Sequence, residues 1–300
     1  MKKALIIINP AVGADATDRL REELDNHFPG AGIRYEIYET QPDDRTYETV
    51  QAHIRSGLDF VVAAGGDGTV AAACNGLADT RIPLGIVPVG TGNMVARELN
   101  LPGAISDAVA LLAGAPRRRR IDAMRINGRL FLLNASIGIS AAIMGNTSRG
   151  EKQFFGPMAY IGTGIWRAPR YKPHRVRVMI DDHTRVVTAL DVAVLNCGRL
   201  TRTIYPKGAE VRLDDGCLDV LILRVRGVLD FPRYFLDLLL RRSNTPLASY
   251  HRAKHRVIIR STIPLAVQAD GDIIGETPVT IELLPAAVTM LVPDPSPIPA

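Results

Sequence analysis

Two glycine-rich stretches carry the residue types that handle phosphate. Gly65-Gly66-Asp67-Gly68-Thr69 follows the apolar run 60–64, and Pro88-Val89-Gly90-Thr91-Gly92-Asn93 follows the run 84–87. Glycines let a backbone turn sharply and present amide N–H groups to an anion, and a helix starting at once adds its positive end. Thr69 can donate a hydroxyl hydrogen bond to a phosphate, and the hydroxyl and amide side chains of Thr91 and Asn93 can orient further polar atoms. Asp67 is an acid inside a phosphate loop, which is unfavourable unless a cation intervenes. A magnesium ion shared with nucleotide phosphates resolves that conflict. Either stretch alone also reads as an ordinary strand–helix turn. Two of them, one βα unit apart at the same end of a sheet, can hold one polyphosphate between them. Neither is a Walker A loop, because no Gly-Lys-Ser/Thr follows, and neither fits G-x-G-x-x-G, because Val95 stands sixth from Gly90. Two acidic turns lie further on, Asp214-Asp215-Gly216 and Asp270-Gly271-Asp272, and each reads locally as a polar hairpin.

The elements that must position these loops alternate. Strands are predicted over 4–8, 34–39, 60–64 and 84–87, with helices over 15–27, 44–56, 70–77 and 94–99. Repeated strand–loop–helix units specify a parallel sheet covered by helices, whose ligands bind beyond the carboxyl ends of the strands. After residue 120 the pattern becomes β-rich, with strands predicted over 123–126, 130–134, 175–180, 189–196, 218–224, 257–261, 265–269 and 279–284. Alternating polarity and Gly or Asp turns point to an antiparallel sandwich or barrel. Helical patterns interrupt it at 151–168 and 228–242, and the Pro-rich stretch 293–299 reads as frayed.

Composition bounds the rest. The 300 residues are 47% hydrophobic and 22% charged, enough for a buried core and unlike a disordered or collagenous chain. The net charge of +5 suits an acidic partner such as phosphates or an anionic membrane surface. Basic residues do not interleave with aromatics as on an RNA platform, so no nucleic-acid partner is expected. Cys74, Cys197 and Cys217 are too few and scattered for a disulfide framework, which points to a reducing compartment. The opening apolar run stops at Asn9-Pro10 and reads as a buried strand, and no stretch approaches a membrane span.

Five ordered motifs give the chain a family likeness. They are Asn9-Pro10-x-x-Gly13, Gly65–Thr69, Pro88-x-Gly-Thr-Gly-Asn93 followed by Ala96-Arg97, Asp214-Asp215-Gly216-Cys217-Leu218-Asp219, and Asp270-Gly271-Asp272 with Pro278, Pro285 and Leu291-Val292-Pro293 after it. In these the chain resembles the diacylglycerol-kinase catalytic superfamily, in particular bacterial soluble lipid kinases. Sphingosine and ceramide kinases are relatives, and NAD kinases more distant ones.

The resemblance implies an α/β nucleotide domain with a parallel sheet, of the NAD-kinase and phosphofructokinase kind, over 1–122. A lipid-side β-sandwich domain over 123–285 follows, and 286–300 returns to the first domain. It implies an active site in the cleft between the two domains. It places ATP on Asn9, Pro10, Gly13, Thr40, Gly65, Gly66, Asp67, Gly68, Thr69, Val70, Ala71 and Thr91, beside Gly92 and Asn93 of the second loop. A structural magnesium site would use the backbone carbonyls of Arg212 and Cys217 and the carboxylate of Asp215. Family members usually carry Asp-Gly-Glu, whose Glu is the general base on the lipid hydroxyl; Asp272 stands there in this chain, shorter by about 1.5 Å.

The implied activity is ATP- and magnesium-dependent phosphorylation of a diacylglycerol-like lipid, within phospholipid biosynthesis. The implied enzyme is cytoplasmic and visits the membrane transiently, with a homodimer left open. The rivals are a kinase of a soluble alcohol such as NAD, and a nucleotide-binding membrane adaptor weakened in catalysis. Weaker signals are the run Arg117-Arg118-Arg119-Arg120, read as a solvated linker face or a headgroup contact, and the aromatic-rich stretch 151–168, read as core or an acyl-chain contact. Phe231, Tyr234, Phe235 and 238–240 form an apolar stripe, and His251 and His255 have metal spacing only if helical, among repelling cations.

Overall fold

The structure, a computed structural model, describes residues 1–41, 46–145, 172–198, 211–225, 230–240 and 245–294. The chain divides into two compact units, Met1–Ile121 with Ala286–Ala300, and Asp122–Pro285.

In the first unit the runs become parallel strands, β1 (Lys2–Ile8), β2 (Ile33–Glu39), β3 (Phe60–Gly65) and β4 (Leu84–Pro88), in the order β2-β1-β3-β4. Strands β1, β3 and β4 are buried through most of their length, whereas β2 at the edge is mostly half-buried or exposed. Near-continuous Val, Ile and Ala runs such as Phe-Val-Val-Ala-Ala in β3 suit strands covered on both faces. The helices are α1 (Ala14–His27), α2 (Thr46–Arg55), α3 (Asp67–Gly76), α4 (Met94–Glu98) and α5 (Ile105–Ala113). Leu20, Leu24 and Phe28, with Ala108, Val109 and Leu112 of α5, pack on Ile6, Ile8, Val62 and Val87 of the sheet. On α3, Gly76 has no room for a side chain, because a Cβ would stand 2.6 Å from Val50 of α2.

The second unit is built from β5 (Arg117–Ile126, which begins in the first), β6 (Arg129–Phe131), β7 (Asn134–Gly138), α6 (Ile139–Gly145), β8 (His174–Ile180), β9 (His183–Ala189), β10 (Asp191–Leu195), β11 (Leu218–Leu223), α7 (Asp230–Leu239), β12 (Ala248–Ala253), β13 (Arg256–Ser261), β14 (Ala266–Ala269), β15 (Asp272–Glu276) and β16 (Val279–Val292). One layer runs β16-β13-β8-β9, with β5 beside β16 and β6 beside β5; the other runs β12-β11-β10-β7-β14-β15. Alternate residues of both layers meet in one core: Val176, Val178, Val257, Ile259 and Ile281 from the first, Ile137, Val192, Val194, Val220, Ile222 and Val267 from the second. That is the sandwich solution for strands of period two. The second layer's other face carries Ala193, Leu195 and Leu221 against Ile139 and Ile143 of α6 and Tyr234 of α7.

The architecture is the expected one, an α/β unit on a parallel sheet and a β-rich unit. Three local readings change. Arg117–Arg120 is not a linker but the exposed start of β5, in which the following Ile121 and Ala123 are fully buried. His251 lies in β12, opposite Val220, so a helical pair with His255 does not form. The strand predicted over 279–284 runs on to Val292. The stretch 151–168 with its aromatics, and residues 295–300, lie outside the described residues.

Candidate active site

The sequence-predicted nucleotide residues of the first unit gather at the carboxyl ends of its strands. Asn9 follows β1 and donates its N–H to the Ala64 carbonyl of β3 at 3.2 Å, and Thr40 follows β2 and donates its N–H to Ile8 at 2.8 Å. These backbone bonds seat the Asn9 loop, Thr40 and the Gly65 loop on adjacent strands. Asn9 Oδ1 accepts the Ala11 N–H at 3.0 Å, closing a turn through Pro10 that ends at Gly13. Gly13 has φ of +96°, open to glycine and strained for other residues, and it starts α1 without a side-chain cap. A groove of about 460 Å³ opens there, lined by Val12, Gly13, Ala14, Asp15, Arg19 and Ile105 among others.

The two glycine loops touch through bare backbone. A Cβ on Gly90 would stand 2.5 Å from the Gly66 Cα and 2.9 Å from its nitrogen, so only glycine permits this approach. Gly66 caps α3 without a side-chain hydrogen bond, which leaves the first-turn amides uncovered by any cap. Gly68 and Thr91 are exposed, whereas Val70 is buried and Ala71 half-buried. Thr69 is buried, and its hydroxyl oxygen lies against Gly65, 2.2 Å from where a Cβ would be.

Asp67 ties one loop to the other. Its Oδ1 accepts the Val95 N–H at 3.1 Å, capping the start of α4, and its Oδ2 lies 2.9 Å from where a Gly92 side chain would begin. Asn93, at φ of +49°, donates from Nδ2 to the Gly90 carbonyl at 2.6 Å, and its Oδ1 is buried without a hydrogen-bond partner. Asp67 thus has a structural partner that spacing did not show.

In the second unit, Asp270 and Asp272 play different parts. Asp270 accepts three backbone N–H groups, Leu132 at 2.7 Å on Oδ2 and Leu133 and Asn134 at 2.9 and 3.0 Å on Oδ1. Asp270 and Gly271 have φ of +47° and +93°, making the tight turn between β14 and β15. The Gly271 N–H is held by buried Gln268, whose amide donates to Ser136 Oγ at 2.8 Å. Asp272 follows, exposed at the start of β15. The turn that presents it is rigidly held.

Sequence reasoning missed Asn196. It is fully buried, and its Nδ2 donates to the carbonyls of Asp122 at 3.0 Å and Leu132 at 2.9 Å. Asp122 Oδ2 accepts the Gly216 N–H at 2.8 Å. Asn196 therefore joins the 214–219 segment to the strand turn that Asp270 caps. No local signal could have found it, because its partners are distant in sequence.

The 214–219 segment carries more negative than positive charge. Asp215 accepts the Cys217 N–H on Oδ1 at 3.1 Å and pairs through Oδ2 with Arg252 Nη2. Arg212 Nε pairs with Asp214 at 3.2 Å. Asp219 is 1% exposed, both of its oxygens lack a hydrogen bond, and Arg252 Nε is 3.9 Å away. Burial pushes Asp219 up to about 6, and burial likewise raises Asp215 against the pull of Arg252. One guanidinium faces two acids, with Asp122 adding to the field at Asp215. A further cation fits this donor set: Asp215, the segment's carbonyls and an orphaned buried carboxylate nearby. Among the described residues no three His, Cys, Asp or Glu side chains cluster as a metal centre by themselves.

The profile of the diacylglycerol kinase catalytic domain matches residues 3–126, and that of the YegS C-terminal NAD kinase beta sandwich-like domain matches residues 134–292, over half the chain. The chain belongs to the diacylglycerol kinase catalytic-domain family. It is a kinase. A diacylglycerol kinase of Staphylococcus epidermidis is 29% identical over 92% of this chain and 88% of its own length. One of Bacillus subtilis is 29% identical over 78% and 77%. A crystal structure of a diacylglycerol kinase from Bacillus anthracis str. Sterne aligns with a TM-score of 0.72 at 25% identity, covering 98% of this chain and 97% of that one. A second crystal structure from that strain reaches 0.80 at 26% identity over 98% of each chain. The family's two matched regions contain both glycine loops and both acidic turns.

Proposed function

We propose that this kinase moves the γ-phosphoryl group of ATP to the hydroxyl of a diacylglycerol-like lipid. The observation that carries the nucleotide half is the bare contact of Gly66 with Gly90, bridged by Asp67 at the carboxyl ends of a parallel sheet. The uncapped amides of α3 offer hydrogen bonds to phosphate oxygens, and the Asn9–Gly13 turn and Thr40 border the same strand ends. The lipid half is supported by membership of the family and by its diacylglycerol kinase relatives.

Phosphoryl transfer needs positioning and charge neutralisation more than covalent help from protein. The acceptor oxygen bonds to the γ-phosphorus as the bond to the ADP oxygen breaks, and the hydroxyl proton passes to the Asp272 carboxylate. Asp270, Gln268 and Ser136 hold the turn that presents this base. The glycine loops would orient the phosphates, and Asp67, which locks the loops together, would help hold the magnesium that accompanies the nucleotide. Bound magnesium neutralises phosphate charge. A second, structural magnesium would be held by Asp215 with the carbonyls of Arg212 and Cys217, offsetting the surplus negative charge that Asp219 records. Among the described residues no helix is long and apolar enough to cross a membrane.

The test is transfer of label from γ-labelled ATP to vesicles containing diacylglycerol, with the product identified by mass. Magnesium-dependent appearance of the phosphorylated lipid is expected. Label transferred only to a soluble alcohol such as NAD, or to no acceptor in a lipid extract, would overturn the assignment.

A further inference from the structure

One face of the second unit is not used by phosphoryl transfer. Alternation sends Val176, Val178 and Ile180 of β8 into the core, so Arg175, Arg177 and Met179 face outward. On β13, Val257 and Ile259 point inward, so Ile258 and Arg260 share that outward face. The register places Arg177 directly opposite Arg260 on one side and Val186 on the other, with Arg175 opposite Thr188. Arg175, Arg177 and Arg260 are exposed, and among the described residues none pairs with an acid.

Like charges directly opposite one another on neighbouring strands repel. A solvated sheet face has no need of them, since Thr184, Thr188 and Thr280 serve on the same layer. Apolar side chains lie among the arginines. Val186 is 50% exposed, Ile263 just beyond β13 is 49% exposed, and Met179 and Ile258 are half-buried. The face is also polarised along its strands. Asp182, Arg256 and Glu282 lie at the end carrying the β8–β9 turn, and the unpaired arginines with Ile263 occupy the opposite end.

We propose that this arginine-rich end docks the kinase on an anionic lipid surface, with the guanidinium groups on lipid phosphates and Val186 and Ile263 at the acyl boundary. Arginine forks match phosphate oxygens, and exposed aliphatic groups beside them suit an interface. A second copy of the chain is disfavoured here, because a two-fold contact would set arginines against arginines. A nucleic acid is disfavoured because, among the described residues, the face offers no aromatic side chain for a base to stack on. The docking surface gains its purpose from the lipid-kinase reading, yet it is measured separately.

Full-length protein is sedimented with phosphatidylcholine vesicles, with or without about 30% phosphatidylglycerol, at low and at about 0.5 M salt. Binding that needs phosphatidylglycerol and weakens with salt is expected. The double variant Arg177→Gln/Arg260→Gln should partition more weakly by roughly fivefold per arginine removed, about 25-fold in all. Its thermal midpoint should hold or rise as the repulsion is relieved. Its transfer to a short-chain, monomerically dissolved diacylglycerol should match the parent. Equal partitioning of parent and variant, or equal binding to vesicles without phosphatidylglycerol, overturns the proposal. So does a concentration-dependent dimer that the variant abolishes, or tighter binding to RNA than to vesicles. If no lipid is phosphorylated but arginine-dependent vesicle binding persists, the docking surface stands and the substrate assignment falls.

Discussion

Asp67 carries two jobs that substitution can separate. As an acceptor it caps α4 through Val95, and in the proposed mechanism its charge would face a nucleotide-bound magnesium. Asp67→Asn keeps an oxygen for the Val95 N–H and removes the charge, whereas Asp67→Ala removes both. Asn should unfold at the parent's denaturant midpoint and show little turnover. Ala should lose turnover and also about 1 kcal/mol of stability, the usual worth of a cap. Parent-like turnover in either variant would remove Asp67 from the chemistry. Asp272 raises a question of reach. It is exposed at the start of β15. Asp272→Glu should keep or raise the rate of lipid phosphorylation, measured by product mass. A fall of about 100-fold, the scale of a lost general base, would show that the shorter carboxylate suits a different geometry.

At the scale of elements, the site depends on two loops that can approach only because both lack side chains. In Gly90→Ala the new methyl would overlap Gly66 backbone, which cannot swing aside as a flexible side chain can. ATP affinity, read by calorimetry, should fall at least about 10-fold with the second unit's melting unchanged; unchanged affinity would show that the contact is incidental. These loops were legible in the sequence because strand, glycine turn and helix are neighbours in the chain. The parallel strands were legible for the same reason, each announced by an apolar run covered on both sides. What escaped was built from distant partners. Asn196 reaches carbonyls 74 and 64 residues away, and Asp270 reaches amides 136 to 138 residues away. Arg117–Arg120 looked like a solvated linker because its charge hid a strand whose apolar half begins only at Ile121. Helix α5 was hidden by a composition, Ala-Val-Ala-Leu-Leu-Ala, in which the apolar residues mask any polar stripe.

For the whole molecule, buried charge sets the pH response. Asp191 is enclosed between the second layer and α6, bonded at 2.9 Å to both the N–H and the hydroxyl of Ser140. Burial, only partly offset by those bonds, raises it from its ordinary 3.8 to about 7. The folded state therefore holds a proton that the unfolded chain releases, and this contribution to stability fades as pH rises from about 4 to about 7. Asp191→Asn keeps both bonds to Ser140 and removes the titration. Its unfolding free energy should be flatter over that window and should exceed the parent's above it, by an amount on the order of a few kcal/mol. A parent-like slope would place the response elsewhere. Strand β16 has a different kind of consequence. It pairs with β13 through residues 279–282 and, further along, with β4 through Met290. During synthesis the flank of β4 thus stays unsealed until Met290 has been added, long after β1, β2 and β3 are made. Over that interval a nascent chain of this kind exposes an apolar strand edge, and chaperones that shield such edges should be its first company.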